Sequence, residues 1–239
     1  MKKVHYLLLS GVLLLSMAFT MSSVCNENQF FVAGTTSKIN HYNGKQKLEG
    51  VSNAKVLKVY QSADTTVAEV ESAYSDEKGK EQYKGTVVYK CINGKIIMDL
   101  QKMLRDGQPQ QQGKDMTTQI EGNLVEYSPG MTAGQSLPDV NMTMKMLSNG
   151  AVMSTMKMRL YDRKVEAKES RTTPAGTFDC YKIVYMMEAS AEFGAMKMPV
   201  FKGRKTVEWF SFSAGAVRSE FYNGDKLESV TELAELKKP

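Results

Sequence analysis

Histidine is nearly absent from this sequence, and its scarcity excludes several kinds of catalytic and metal site. The chain has only two, His5 and His41, and His5 lies in a segment that we expect to be removed. A Ser-His-Asp or Cys-His site would have to be built on His41 alone, and a zinc site with several histidine ligands is excluded. The nucleotide-binding patterns GxxxxGK[ST] and GxGxxG are missing as well. We therefore predict a noncatalytic protein without a cofactor or metal.

Long hydrophobic runs are missing too, except at the N-terminus. Lys2 and Lys3 precede an almost wholly apolar segment, residues 6–19, and a short stretch of small and polar residues follows it. This order is typical of a secretory signal peptide, and the apolar segment is shorter than the roughly 20 residues that a membrane-spanning helix needs. We predict a signal peptide at residues 1–24, one mature domain at residues 25–239, and export to the periplasm or outer cell envelope of a bacterium.

No strong excess of one charge is present. The net charge is +5, and loss of the two lysines of the signal peptide lowers it to about +3. A charge this small and dispersed argues against a nucleic-acid partner. Contact with a membrane is expected only through a lipid anchor, if the chain has one.

Cysteine is scarce and odd in number, with Cys25, Cys91 and Cys180. An exported protein can keep disulfides, but three cysteines form at most one internal bridge. Cys25 follows the signal segment at the spacing of a lipidated cysteine, although Val24 is not a preferred residue before it. If Cys25 is lipidated, Cys91 and Cys180 are the only candidate disulfide pair; if it is not, three pairings are open. Buried, reduced cysteines are a further alternative.

Tight turns and alternating strands dominate the rest of the chain. Asn-Gly occurs four times, beginning at Asn43, Asn93, Asn149 and Asn223, and this pair favours type I′ hairpin turns. The runs between turns alternate apolar and polar residues, which is typical of antiparallel strands with one wet and one covered face. We predict strands at 35–42, 47–61, 65–75, 82–92, 95–102, 118–127, 139–147, 151–162, 164–171, 177–190, 204–212, 216–222 and 226–235.

The fold class that follows is all-β, with one large curved antiparallel sheet of about a dozen strands and little helix. The best chance of a short helix is at residues 99–105. Residues 104–116 are polar and rich in glutamine, which predicts a surface loop.

Several turn and strand-edge motifs resemble the TapB-like family of exported bacterial proteins, which is related to a domain family of unknown function. The motifs are GQSLPD at 134–139, DRKVEAKE at 162–169, TPAGTFDCYKI at 173–183 and Trp209-Phe210 before GAVR at 215–218. The family is similar to the LolA/LolB-like group. That likeness implies a half-open barrel with an apolar concave face, and some members of the group carry lipids or lipoproteins.

Methionine is abundant, with 17 residues, and Met-Lys-Met occurs three times. Residues i and i+2 of a strand point the same way, so each triplet aims two thioethers at one face. Three hypotheses follow: ordinary core packing, a plastic pocket for an apolar ligand, or copper(I) binding. For the pocket, the candidate ligand-binding residues are Met142, Met144, Met146, Met156, Met158, Met196 and Met198.

Two main functions remain open. The first is an exported envelope protein that binds an apolar ligand, a lipid or lipoprotein, or a protein partner. The alternative is an envelope assembly or adaptor protein with no small ligand, for example a partner of a tetratricopeptide-repeat protein. A secreted hydrolase is a third hypothesis, which would need acidic residues or a serine beside His41 in a cleft.

Overall fold

A computed structural model describes residues 24–99, 102, 116–122 and 124–239. The predicted signal peptide, apart from Val24, and the predicted loop up to residue 115 lie outside the described residues. Of the predicted helix at 99–105, only Asp99 and Lys102 are described. In the described part no helix is long and apolar enough to cross a membrane.

The described chain is nearly all β, as expected. Near its start it has a short helix, α1 (Val24–Glu27), and a 3-10 turn at Gln29–Phe31, and Lys102 is also helical. The strands are β1 (Thr36–Asn43), β2 (Leu48–Ser62), β3 (Thr65–Asp76), β4 (Glu81–Ile92), β5 (Lys95–Asp99), β6 (Met116–Gly122), β7 (Val125–Tyr127), β8 (Val140–Ser148), β9 (Ala151–Thr173), β10 (Gly176–Phe193), β11 (Met196–Ser211), β12 (Gly215–Asn223) and β13 (Lys226–Lys237).

These strands form a single antiparallel sheet in the order β6-β8-β9-β10-β11-β12-β13-β1-β2-β3-β4-β5-β7. The predicted strand 118–127 is divided into β6 and β7, which lie at opposite edges of this sheet. Only three peptide bonds separate Gly122 from Val125, so the two edges are no more than about 11 Å apart there. The sheet therefore curls back on itself, while β6 and β7 do not pair and the sheet stays open.

The two strands predicted at 151–162 and 164–171 are one continuous strand, β9. Asp162 has a positive φ of 53°, and the pairing with β10 shifts register between Val184 and Met186. A bulge of this kind lets a long strand bend without ending. The charged residues Asp162, Arg163 and Lys164 resemble a turn in the sequence. The sequence analysis therefore ends one strand there and begins another.

The β10–β11 hairpin is longer than predicted. The third Met-Lys-Met triplet was expected between strands, but β10 continues to Phe193 and β11 begins at Met196. A two-residue turn at Gly194 and Ala195 joins them, and Gly194 has a φ of 58°. Met196 and Met198 are therefore strand residues.

One core cluster joins strands from distant parts of the sheet. It contains residues of β3, β4, β5 and β7 and residues of β8, β9, β10 and β11, among them Ala68, Ile96, Val165 and Ile183. The Tyr127 ring of β7 stacks on the Phe210 ring of β11 at 3.7 Å. Strands so far apart in the order can share a cluster only on the concave face of the curled sheet, so this cluster marks that face.

Two central strands are covered on both faces, contrary to the expected single wet face. Residues 206–211 of β11 are all buried. The adjacent residues Trp209 and Phe210 belong to different clusters, and so do Cys180 and Tyr181. Successive strand residues point to opposite faces, so the second cluster covers the other side of β10 and β11.

Of the pairings that the sequence leaves open, the one between Cys91 and Cys180, which lipidation of Cys25 would leave, does not form. Cys91 is bonded to Cys25, with a Cα–Cα distance of 5.8 Å, and Cys180 is a buried free thiol. The physical reason is the separation of the two clusters, because Cys91 lies in the concave core and Cys180 in the cluster on the other face. Lipidation of Cys25 stays a prediction, and it requires the same sulfur and therefore the absence of this bond.

The predicted type I′ turn between β8 and β9 is confirmed. Asn149 has a φ of 49° and Gly150 a φ of 77°. Nothing lies within 4 Å of a Cβ built on Gly150, so a larger side chain there meets backbone strain but no clash.

We expect Gly150→Val to destabilise the protein by about 1 kcal/mol or more, because a β-branched residue rarely adopts positive φ. A thermal melt should show a midpoint about 2–4 °C lower. Ala151→Val is the control, since residue 151 is exposed and begins a strand. Equal midpoints for the two variants would contradict the strained turn.

Candidate functional site

The seven predicted methionines lie on one face of the sheet, in rows that cross several strands. The middle row pairs Ile120 with Met144, Met144 with Met156, Met156 with Ala191, and Ala191 with Met198. Paired residues of antiparallel strands share a face. With strands spaced about 4.8 Å apart, this row is about 19 Å long.

Two shorter rows flank it. One contains Met142, Met158, Ala189 and Phe201, and the other contains Met146, Ser154, Phe193 and Met196. We call the seven methionines the methionine band: Met142, Met144, Met146, Met156, Met158, Met196 and Met198. The register therefore brings all seven predicted residues together.

The band continues the concave core outward. Met142 is two residues from Val140, and Met158 is two residues from Leu160; both neighbours belong to the concave cluster and are less than 10% exposed. Exposure rises along the strands, to 42% at Met156, 44% at Met198 and 60% at Met196. The concave face is thus packed at depth and open to solvent at the hairpin ends.

The opposite face of the same strands is polar. Lys145 pairs with Glu121 at 3.0 Å, Lys157 with Glu192 at 2.9 Å, and Arg159 with Asp139 at 2.7 Å. These five strands therefore have one apolar face and one face of solvated ion pairs, and none of the described residues covers the apolar face near the hairpin ends.

A segment that we call the N-terminal plug, residues 25–31, closes the other end of the concave face. Cys25 and Phe31 belong to the concave cluster, and the Phe30 ring stacks on Tyr89 at 4.7 Å. The backbone N–H of Gln29 donates to the carbonyl of Ser213 at 3.0 Å. The plug therefore bridges β4 and the β11–β12 turn.

A buried carboxyl group lies deep in the concave core, between the plug and the band. Glu208 is 7% exposed, and it accepts hydrogen bonds from the hydroxyls of Tyr127 at 2.8 Å and Tyr185 at 3.2 Å. Burial raises the pKa of Glu208, which the two hydroxyls and the charge of Arg163 partly oppose. Burial also raises the pKa of Tyr89 to about 12.

The sequence analysis did not select this carboxyl group. A signal was present in the sequence, because Glu208 alternates with two aromatic residues, Phe210 of β11 and Phe212 just after its end. A charge in such a position is expected to be buried with partners. The partners themselves come from β7 and β10, which no local pattern relates to β11.

His41 contacts a serine but not a complete catalytic site. Its Nε2 is 2.7 Å from the Ser52 Oγ, and burial alone lowers its pKa. No carboxylate acts on the imidazole among the described residues, so the group that would orient a triad histidine is missing there. Within the same part of the chain, no cluster of three His, Cys, Asp or Glu side chains could hold a metal ion.

Comparison with solved structures finds the same fold in two bacterial proteins. The chain is 26% identical to a Parabacteroides distasonis protein described as a lipoprotein, with a TM-score of 0.66 over 87% of this chain and 98% of that one. A Bacteroides fragilis protein, described as exported and as having a YmcC-like fold, is 23% identical, with a TM-score of 0.64 over 86% and 96%.

The two remaining comparisons concern sequence. No curated protein matches the chain. The sequence model of the DUF3108-like family matches residues 32–233, which include every strand from β1 to β12 and most of β13. The chain therefore belongs to the DUF3108-like family.

Proposed function

We propose that this protein is an exported, noncatalytic protein of the bacterial cell envelope whose methionine band binds an apolar ligand such as a lipid. The observation that carries the proposal is the exposure of Met156, Met198 and Met196 on a face that continues directly from the core. Contiguous exposed apolar surface in a folded protein usually marks a binding site.

The composition of the band suits a ligand of variable shape. Methionine has three rotatable bonds and a polarizable sulfur, so it adapts to different apolar partners. The middle row, about 19 Å long, is comparable to an extended acyl chain. Deep in the concave face, Cys91, Val165 and Ile183 are at most 1% exposed, so we place the ligand on the open outer part.

Export is supported from two directions. The first 24 residues have the order of a signal peptide, and the similar Parabacteroides protein is described as a lipoprotein. We also propose that the mature domain begins near residue 25. The closer relationship to TapB-like proteins and the LolA/LolB-like group belongs to this proposal and is supported by the open, curled sheet with an apolar concave face.

The test is a titration with parinaric acid, a fluorescent fatty acid. We expect the wild-type protein to bind it and Met156→Ser with Met198→Ser to weaken binding about tenfold or more, since two apolar contacts are lost. Both residues are more than 40% exposed, so the melting midpoint should change little. Leu48→Ser with Leu57→Ser is the matched control, because both leucines are exposed on β2.

A second function is favoured by the filled interior of the concave face. If the wild-type protein binds no parinaric acid, the band is better explained as the surface of an assembly or adaptor protein, for example a partner of a tetratricopeptide-repeat protein. Equal affinity of the wild-type protein and the double methionine variant would refute the band as the ligand site.

A further inference from the structure

Two neighbouring hairpin tips carry an exposed apolar edge at the open end of the methionine band, with which it shares Met196. The edge, which we call the lip, is more than half exposed at every residue. Ser154 of β9 pairs with Phe193 of β10, and Phe193 pairs with Met196 of β11, so the two tips lie side by side. The lip residues at the tips are Val152, Met153, Phe193 and Met196, and the lip also includes the exposed Val200, four residues along β11.

Basic residues follow the lip along β11. Residues 193–207 contain four basic residues and no acidic one. Lys197 lies 3.8 Å from Glu192, which also pairs with Lys157, and Arg204 pairs with Glu228 at 3.2 Å. Lys202 is exposed, whereas Lys205 lies nine residues from Met196, with its ammonium over the Tyr222 ring. Because Lys157 and Lys197 share the Glu192 carboxylate, this side of the lip keeps a small excess of positive charge.

We propose that the lip is the surface through which this protein contacts an anionic lipid bilayer. Apolar side chains flanked by basic residues are the combination that places a protein at a membrane interface, because the side chains enter the boundary of headgroups and acyl chains while the cations meet anionic headgroups. This contact goes beyond the proposed ligand binding and does not require it.

Charge complementarity favours a bilayer over a second copy of the chain. Two lips that face each other would bring two sets of basic residues together, and like charges in contact are unfavourable. An anionic bilayer instead attracts the basic residues beside the lip from about one Debye length, about 8 Å at physiological salt. A bilayer also accepts exposed side chains of different shapes without a complementary pocket.

The experiment is sedimentation of the mature protein with vesicles. We expect binding to vesicles of phosphatidylethanolamine with phosphatidylglycerol, and much weaker binding to phosphatidylcholine vesicles. Met153→Ser with Val200→Ser should lower the partition about tenfold, since both residues are exposed and lie outside the band. Lys197→Glu with Lys202→Glu should lower it and reduce its dependence on salt, since both lysines are exposed beside the lip. The control, Leu48→Ser with Leu57→Ser, should bind as the wild type does.

Three results would overturn the proposal. They are the absence of binding to anionic vesicles, equal binding by the wild-type protein and the Met153/Val200 variant, and equal binding to anionic and neutral vesicles. Self-association that the Met153/Val200 variant abolishes would identify a second copy as the occupant instead. A negative result with vesicles does not bear on the parinaric acid titration, because the Met153/Val200 variant keeps every methionine of the band.

Discussion

Loss of the bond between Cys25 and Cys91 is expected to destabilise the protein by about 4 kcal/mol. The bond joins residues 66 positions apart, and the chain-entropy estimate for a loop of that length is about 4 kcal/mol, within the usual range of 2–5 kcal/mol. The bond also holds the N-terminal plug, whose Phe31 packs in the concave cluster. Cys91→Ser should therefore lower the melting midpoint and loosen the plug.

The measurement is chemical denaturation with and without a dithiol reductant. We expect one denaturation midpoint for Cys25→Ser, Cys91→Ser and the double variant, and the reductant should not change it. Cys180→Ala is the control and should stay sensitive to it, because Cys180 is a free thiol. A diacylglyceryl group found on Cys25 by mass spectrometry, or a wild-type protein that ignores the reductant, would contradict the prediction.

Removal of the two tyrosine hydroxyls that donate to Glu208 should destabilise the protein about as much as loss of the disulfide. In Tyr127→Phe with Tyr185→Phe, the carboxyl group keeps its buried position but loses both donors at 2.8 and 3.2 Å. An uncompensated buried charge costs about 3–5 kcal/mol. Tyr127→Phe alone leaves the Tyr185 hydroxyl in place, and we expect this single variant to lose about 1.5–3 kcal/mol of stability.

The pH dependence identifies Glu208 as the source of this loss. Burial raises the pKa of Glu208 in the folded state, so the folded protein binds the proton more tightly than the unfolded chain does. Stability contributed by this group is present below the unfolded pKa of about 4.3 and is lost as pH rises through the raised folded pKa. The double tyrosine variant should therefore lose more stability at neutral than at acidic pH.

The measurement is denaturant unfolding of the wild-type protein and the double tyrosine variant at acidic and at neutral pH. Glu208→Gln in the double-phenylalanine background is the control, because a neutral amide removes the titration and most of the penalty. If the double tyrosine variant is equally destabilised at all pH values, the buried carboxylate is not responsible.

Local features of the chain were predictable to within a few residues. The turn at Asn149-Gly150 follows from the tolerance of both residues for positive φ. The common face of Met142 and Met144 follows from the two-residue period of a strand. Two predicted strand boundaries were wrong for the same reason. The bulge at Asp162 resembles a turn, and the two edge strands β6 and β7 resemble one strand. In both places the true boundary depends on how the segment pairs with other strands, and a local sequence pattern does not contain that information.

The sequence by itself determined the antiparallel hairpins and the shared face within each methionine triplet, because turn chemistry and strand periodicity act over a few residues. Only the tertiary structure decided that the three triplets form one band, that Cys91 pairs with Cys25, and that Glu208 meets Tyr127. The band forms because the pairing register of β8, β9, β10 and β11 aligns the triplets. The other two contacts join residues that are distant in the chain, and they form because the sheet curls until β7 faces β11 and the plug fills the end of the concave face.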